Sequence, residues 1–161
     1  MCIRSSTAMR RVPAHEFFTV PLRTNLEAHE CLEEIHWPVW HEVRTGSAFM
    51  EVSRRHGDFA LIAACAQVAL DDDGRCSRAT LGLGGGAEIP MAFPALTDRL
   101  LGTSCDNNTV QAVAHNAAKQ LALGSDLHAG AAYRTHLVAT LAARALRDAY
   151  AQAKAQAQAK P

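Results

Sequence analysis

The sequence predicts an α+β fold: an antiparallel sheet of three to four strands followed by three helices. Two observations carry this expectation. Phe59 to Leu70 is an almost unbroken apolar run, bounded by His56-Gly57-Asp58 and by the turn-forming Asp71-Asp72-Asp73-Gly74, and Cys76 to Leu83 reads as the strand returning from that turn. Past Gly84-Gly85-Gly86 the pattern changes to helix-like segments, and strands first with helices after is the order of an α+β domain.

Taken in order, the stretch to about Asn25 reads as an irregular arm, punctuated by Pro13 and Pro21 and anchored by Phe17-Phe18. A short strand over Cys31–Trp37 is stopped by Pro38, and Ala48–Arg54 alternates in polarity as a second strand after Thr45-Gly46. With Phe59–Leu70 and Cys76–Leu83 these make a meander of about four strands. Pro94–Leu101 reads as a short helix closed by Gly102, and Asp106 or Asn107 caps a second helix running to about Leu123, closed by Gly124. Tyr133–Ala151 is the third helix, with Leu137, Val138, Leu141, Ala142, Ala145 and Ala149 on one stripe. The tail AQAKAQAQAKP holds helix formers without core-forming residues and is expected to fray into solvent. The expected organisation is an arm over residues 1–28, a domain over 29–151 and a low-complexity tail over 152–161.

Composition narrows the function classes. In 161 residues, 16 Lys+Arg balance 16 Asp+Glu, so the chain lacks the basic surplus that displaces counterions from nucleic acid or binds anionic lipid. No run approaches the roughly 18 apolar residues of a membrane span. The opening MCIRSSTAMRR has no apolar core of a secretory signal, and the expectation is a cytoplasmic protein without nucleic-acid or membrane partners. The five cysteines include no C-x-x-C pair, and Cys65, inside ALIAACAQVAL, reads as a buried small hydrophobe.

Local motifs of chemistry are few. Gly82-Leu83-Gly84-Gly85-Gly86-Ala87 fits G-x-G-x-x-A, but Pro90 disrupts the helix that a dinucleotide pyrophosphate would need, so the glycines read as a point of close backbone approach. The eight histidines are dispersed with no H-E-x-x-H, so no local metal motif is present and a metal site would have to be assembled from distant positions. Ser125-Asp126-Leu127-His128 brings triad residue types together in sequence only, and Asp126 reads as a cap or loop-ordering acid. The strongest cluster is Ser53-Arg54-Arg55-His56-Gly57-Asp58-Phe59-Ala60. One of its adjacent arginines is expected to pair with an acid such as Asp58, and the other to face solvent or an anionic partner. Arg144 follows Leu137 by seven positions and falls on the apolar stripe, where it either snorkels or marks a further surface.

These segments together resemble the flavoprotein (medium) subunit of the xanthine oxidase and carbon monoxide dehydrogenase class of molybdenum hydroxylases. S-R-R-H-G-D-F-A is similar to a motif of that subunit, and Arg11-Val12-Pro13-x-x-x-Phe17-Phe18 resembles its R-x-V-P-x-x-x-F-F. Thr24, Leu26 and Glu33-Glu34-Ile35-x-x-Pro38 resemble its T-x-L and E-I-x-x-P segments. Asp126-Leu127-His128-Ala129-x-x-x-Tyr133-Arg134-x-His136-Leu137, followed by Arg144-Ala145-Leu146, resembles its closing motif. The segments fall in family order from about residue 10 to 150, the C-terminal half of the subunit, which is described for the family as an antiparallel sheet followed by three helices.

The resemblance implies part of an electron-transfer subunit. There, flavin adenine dinucleotide (FAD) takes electrons from iron–sulfur clusters that a molybdenum–pterin centre reduces. The implied partners are a flavin-binding half, an iron–sulfur small subunit and a molybdopterin large subunit, with FAD bound weakly or not at all by this chain alone. Leu32 and Met50 occupy positions that face the flavin by resemblance. Met50 stands where the xanthine oxidase branch has Lys. Arg54, Arg55, Asp58, Asp126, Tyr133, Arg134 and Arg144 are the motif residues expected to serve interaction or structure; no catalytic residue and no metal ligand is implied. The alternative is a stand-alone protein-interaction domain without a redox role.

Overall fold

The structure is a computed structural model that describes residues 1–158. It divides into two compact units, Met1–Trp40 and the chain from His41 onward. In the first, β1 (Cys2–Arg4) lies between β2 (Met9–Arg11) and β5 (Cys31–Glu34), antiparallel to both. Between them come the single turn α1 (Ala14–Phe17) and a hairpin of β3 (Phe18–Val20) and β4 (Arg23–Thr24). Ile3, Val12 and Phe17 form this unit's core, with Met1 and Leu26 packed against it. The Arg10 guanidinium grips Glu30 through Nε and Nη2 at 2.8 and 2.7 Å, joining β2 to the segment that leads into β5.

The stretch to Asn25 is therefore ordered, against the expectation of an irregular arm. The strand expected at Cys31–Trp37 is shorter, ends at Glu34, and pairs with β1 instead of joining the meander. The boundary between the units consequently follows Trp40 and not residue 28. Strands of three or four residues are too short to show a period, and the β1–β5 pairing joins segments far apart in sequence.

The second unit is built on the antiparallel sheet β6 (Thr45–Ser53), β7 (Ala60–Leu70), β8 (Cys76–Gly84) and β9 (Met91–Ala92), in that spatial order. Asp71 closes the β7–β8 turn: its Oδ1 accepts from Arg75 N at 2.8 Å and its carbonyl from Gly74 N at 3.1 Å, with Gly74 at φ +76°. After β9 come α2 (Pro94–Thr97), a 3-10 turn over Asp98–Leu100, α3 (Asn107–Gln120) and α4 (Ala131–Gln158). Asp106 caps α3, accepting from Asn108 N at 3.0 Å and Thr109 N at 3.1 Å.

The helices of this unit pack on one face of its sheet. Ile62, Ala64, Ala66 and Val68 of β7 are buried beneath them, with Val110, Val113 and Ala117 of α3 and Val138, Leu141, Ala145 and Leu146 of α4. On a strand the odd positions then point away. Cys65 is exposed on that open face and not buried as expected, since an all-apolar run conceals which phase is inward. Arg144 is also exposed, not part of the stripe. Leu137 sits at the edge of the buried arc, and the lag of about 20° per seven residues carries Arg144 past it.

The C-terminal helix departs most from expectation. It continues through residues 152–158 of the supposed tail, with Ala153 fully buried and Gln152 Oε1 accepting from Ser47 N at 2.6 Å. Residues 159–161 of the expected tail lie outside the described residues. Small side chains let this end of α4 come very close to β6: a Cβ on Gly46 would stand 2.1 Å from the Ala149 carbonyl oxygen and 2.5 Å from Ala153 N. Gly46→Ala is therefore expected to destabilise the chain by about 2 kcal/mol, the order of an overpacked core site, read by urea denaturation.

Candidate functional site

One end of the second unit's sheet gathers most of the sequence motifs. The turn after β6 runs from Arg54 to Phe59, with Asp58 N donating to Arg55 O at 3.1 Å and Gly57 at φ +88°. Both arginines lie in this turn and not on the strand. Arg55 makes the ion pair with Asp58, at 3.4 Å, and Arg54 Nη1 reaches His128 Nδ1 at 2.7 Å. A guanidinium can only donate, so Nδ1 accepts and the imidazole carries its proton on Nε2. Arg54, Arg55, Gly57, Phe59, Leu61 and His128 border a cleft of about 360 Å³.

Beneath the cleft lies Arg134, in the first turns of α4 and almost wholly buried. Its Nη2 donates to Asp126 Oδ2 at 2.6 Å and its Nη1 to the carbonyls of Leu61 at 3.0 Å and Gly85 at 3.4 Å. Its buried Nε has no hydrogen-bond partner among the described residues. Asp126 Oδ1 accepts from His128 N at 2.8 Å and Ala129 N at 2.9 Å, and Ser125 Oγ accepts from Ala131 N at 2.8 Å at the start of α4. The two backbone N–H groups, and then Arg134, draw the Asp126 carboxyl down from its ordinary 3.8 to about 2. Arg134 thus ties together the start of β7, the glycine turn after β8 and the loop that presents His128.

This geometry builds a scaffold and no triad. Asp126 bonds the backbone of His128 instead of its ring, the ring is engaged by Arg54, and Ser125 serves the helix start. The glycine-rich segment is likewise used internally. A Cβ on Gly85 would meet the Ala60 carbonyl oxygen at 2.7 Å, and one on Gly86 would meet Ile62 Cδ1 at 2.5 Å and Leu123 Cδ2 at 2.6 Å. No helix opens from this turn, so these residues do not fit a dinucleotide pyrophosphate.

Of the residues singled out from sequence, Arg54, Arg55, Asp58, Asp126 and Arg134 converge here. Tyr133 is half-exposed in the first turn of α4. Leu32 lies on β5 in the first unit, 36% exposed. Met50 is partly buried, turned toward the helices and packed against the core. The open face of the sheet carries what sequence reasoning missed. Phe49, 66% exposed, stands there with Cys65, over a shallow depression of about 380 Å³ reaching Ser47, Gln67, Thr80 and Gly82. A smaller apolar hollow of about 210 Å³ continues to Ala63, Leu83 and Pro90. The polarity alternation of β6 held the signal, once Gly46, Ala48, Met50 and Val52 are read as the inward set.

Residues 47–149 match the family described as the CO dehydrogenase flavoprotein C-terminal domain. The chain belongs to this family. This flavoprotein C-terminal domain is 30% identical over 145 residues to the 6-hydroxypseudooxynicotine dehydrogenase complex subunit alpha of Paenarthrobacter nicotinovorans, covering 90% of this chain and 49% of that protein. To the carbon monoxide dehydrogenase medium chain of Afipia carboxidovorans it is 31% identical over 145 residues, 90% of this chain and 50% of the other. Among solved structures, quinoline 2-oxidoreductase from Pseudomonas putida 86 superposes with a TM-score of 0.85 at 31% identity, over 95% of this chain and 52% of that one. The chain spans about half the length of the curated relatives it matches. No helix among the described residues is long and apolar enough to cross a membrane.

Two outcomes follow from the Arg134 lock. Arg134→Leu strands the Leu61 and Gly85 carbonyls and is expected to cost about 2–3 kcal/mol in chemical denaturation. Asp126 has a lowered pKa in the folded chain, so its contribution is fully present above about pH 4 and is lost as pH falls toward 2. Asp126→Asn should therefore be less stable than the parent chain at neutral pH, with the difference closing by pH 2.

Proposed function

We propose that this chain acts as the C-terminal-domain part of the FAD-containing electron-transfer subunit of a molybdenum hydroxylase of the xanthine/CO dehydrogenase class. The observation that carries the proposal is the uncovered sheet face. Every helix of the second unit packs on the other side, leaving Phe49, Ala63 and Cys65 as an apolar strip with no cover from this unit's helices. A sheet with one bare apolar face is suited to burial against another polypeptide. We assign that place to a flavin-binding half, which supplies the pyrophosphate contacts that the glycine turn after β8 does not fit.

FAD supplies the electron-accepting chemistry of such a subunit. This chain's own part is to cover and position. Leu32 and Met50 are the residues assigned to the flavin side. Arg134 and Asp126 hold the loop that presents His128 to Arg54, keeping the rim of the cleft fixed. An iron–sulfur small subunit and a molybdopterin large subunit complete the proposed assembly, and the substrate is set outside this chain.

The test is purification of the chain alone and after co-expression with the flavin-binding half of a relative's medium subunit and an iron–sulfur subunit. Alone, the chain should lack stoichiometric flavin absorbance; co-expressed, it should elute with both partners and with bound flavin. Phe49→Asp should abolish co-elution while circular dichroism stays unchanged, because the side chain is exposed. Stoichiometric flavin on the lone chain, or failure to associate with either partner, overturns the proposal. Co-elution with a flavin-free partner only would favour the stand-alone interaction domain.

A further inference from the structure

We propose that Cys2, Glu34 and His36 form a binding site for a divalent transition-metal ion of the zinc class. Their ligand atoms, a thiol sulfur, a carboxylate oxygen and an imidazole nitrogen, all lie within 4.8 Å of one another. Zinc holds sulfur at about 2.3 Å and nitrogen or oxygen at about 2.0–2.2 Å, so a tetrahedral site spaces its donors by roughly 3.3–3.8 Å. Small rotations of two side chains close the difference, and Glu34 and His36 are both exposed and free to make them.

The backbone explains why three residues remote in sequence meet. Cys2 stands opposite Glu34 in the β1–β5 ladder, beside a register shift between Cys2 and Ile3. His36 follows Glu34 by two residues, and its Nε2 is 2.7 Å from Glu34 Oε2. Cys2 is 2% exposed whereas the other two donors face solvent, so the site has a shielded sulfur floor and an open side for water as a fourth ligand. Thiolate plus carboxylate neutralises a divalent charge. Neighbouring acids are already engaged, Glu33 by Arg4 and Glu30 by Arg10. The mixed sulfur, nitrogen and oxygen set suits zinc or cobalt better than magnesium or calcium. A bound ion would clip β1 to β5, the pairing on which the first sheet is built.

The experiment titrates the chelator-treated, full-length chain with Co²⁺, followed by displacement with Zn²⁺. One ion per chain is expected, with a sulfur-to-cobalt charge-transfer band in the near ultraviolet that Zn²⁺ removes. Cys2→Ser should abolish the band, and Glu34→Gln and His36→Gln should each weaken binding by at least about tenfold. Both exposed-site variants should keep the parent circular dichroism, which guards against misfolding of the Cys2 variant. Amide exchange over residues 2–4 and 31–34 should slow when the ion is bound. Binding without the sulfur band, affinity unchanged in the Glu34 and His36 variants, or no binding at micromolar ion overturns the proposal. None of these outcomes bears on association with a flavin-binding half.

Discussion

Arg134 is the constraint on which the second unit's functional end depends. Its guanidinium is buried, and one planar fork satisfies a strand carbonyl, a turn carbonyl and a loop carboxylate at once. A buried charge is tolerable when it is paired and hydrogen-bonded, and here the two terminal nitrogens of the guanidinium join three segments that the chain could otherwise place independently. Lysine would offer a point charge without this geometry. The order of the His128 loop, the path of the glycine turn and the start of β7 are thus settled by one side chain.

The sheet above this lock divides its labour by face. Residues of β7 pointing one way are closed over by α3 and α4, and small or apolar residues pointing the other way remain bare. A sheet of this kind is half of a sandwich. Its inward face accounts for the stability of the unit, and its outward face is where association would be read.

How much of this was legible in the sequence depends on the range of the interaction involved. The β7–β8 hairpin announced itself through Asp71 and Gly74, and α3 through Asp106, because each signal sits within four residues of what it controls. The Arg54–Arg55–Asp58 and Asp126–Arg134 motifs stood out as residue patterns, but the bridge from Arg54 to His128 spans distant segments and no local pattern encodes it. The strands β1 and β2, and the pairing of β5 with β1, were hidden for the same reason and because these strands are short. Cys65 was misplaced because an apolar run reads alike on both faces. The end of α4 was missed because alanine suits a solvated helix and a closely packed one equally well.

That last helix has a consequence beyond packing. β6 is the outer strand of its sheet, and an outer strand offers unpaired N–H groups to any passing chain. Gln152 occupies one of them, the N–H of Ser47, and Ala149 and Ala153 press against the strand at Gly46. A stretch of nearly uninformative composition thereby guards the sheet's edge at Ser47, occupying one N–H that an intermolecular strand would use. Truncation before Gln152 would remove more than a helix end: it would free the Ser47 N–H on the outer strand of the sheet.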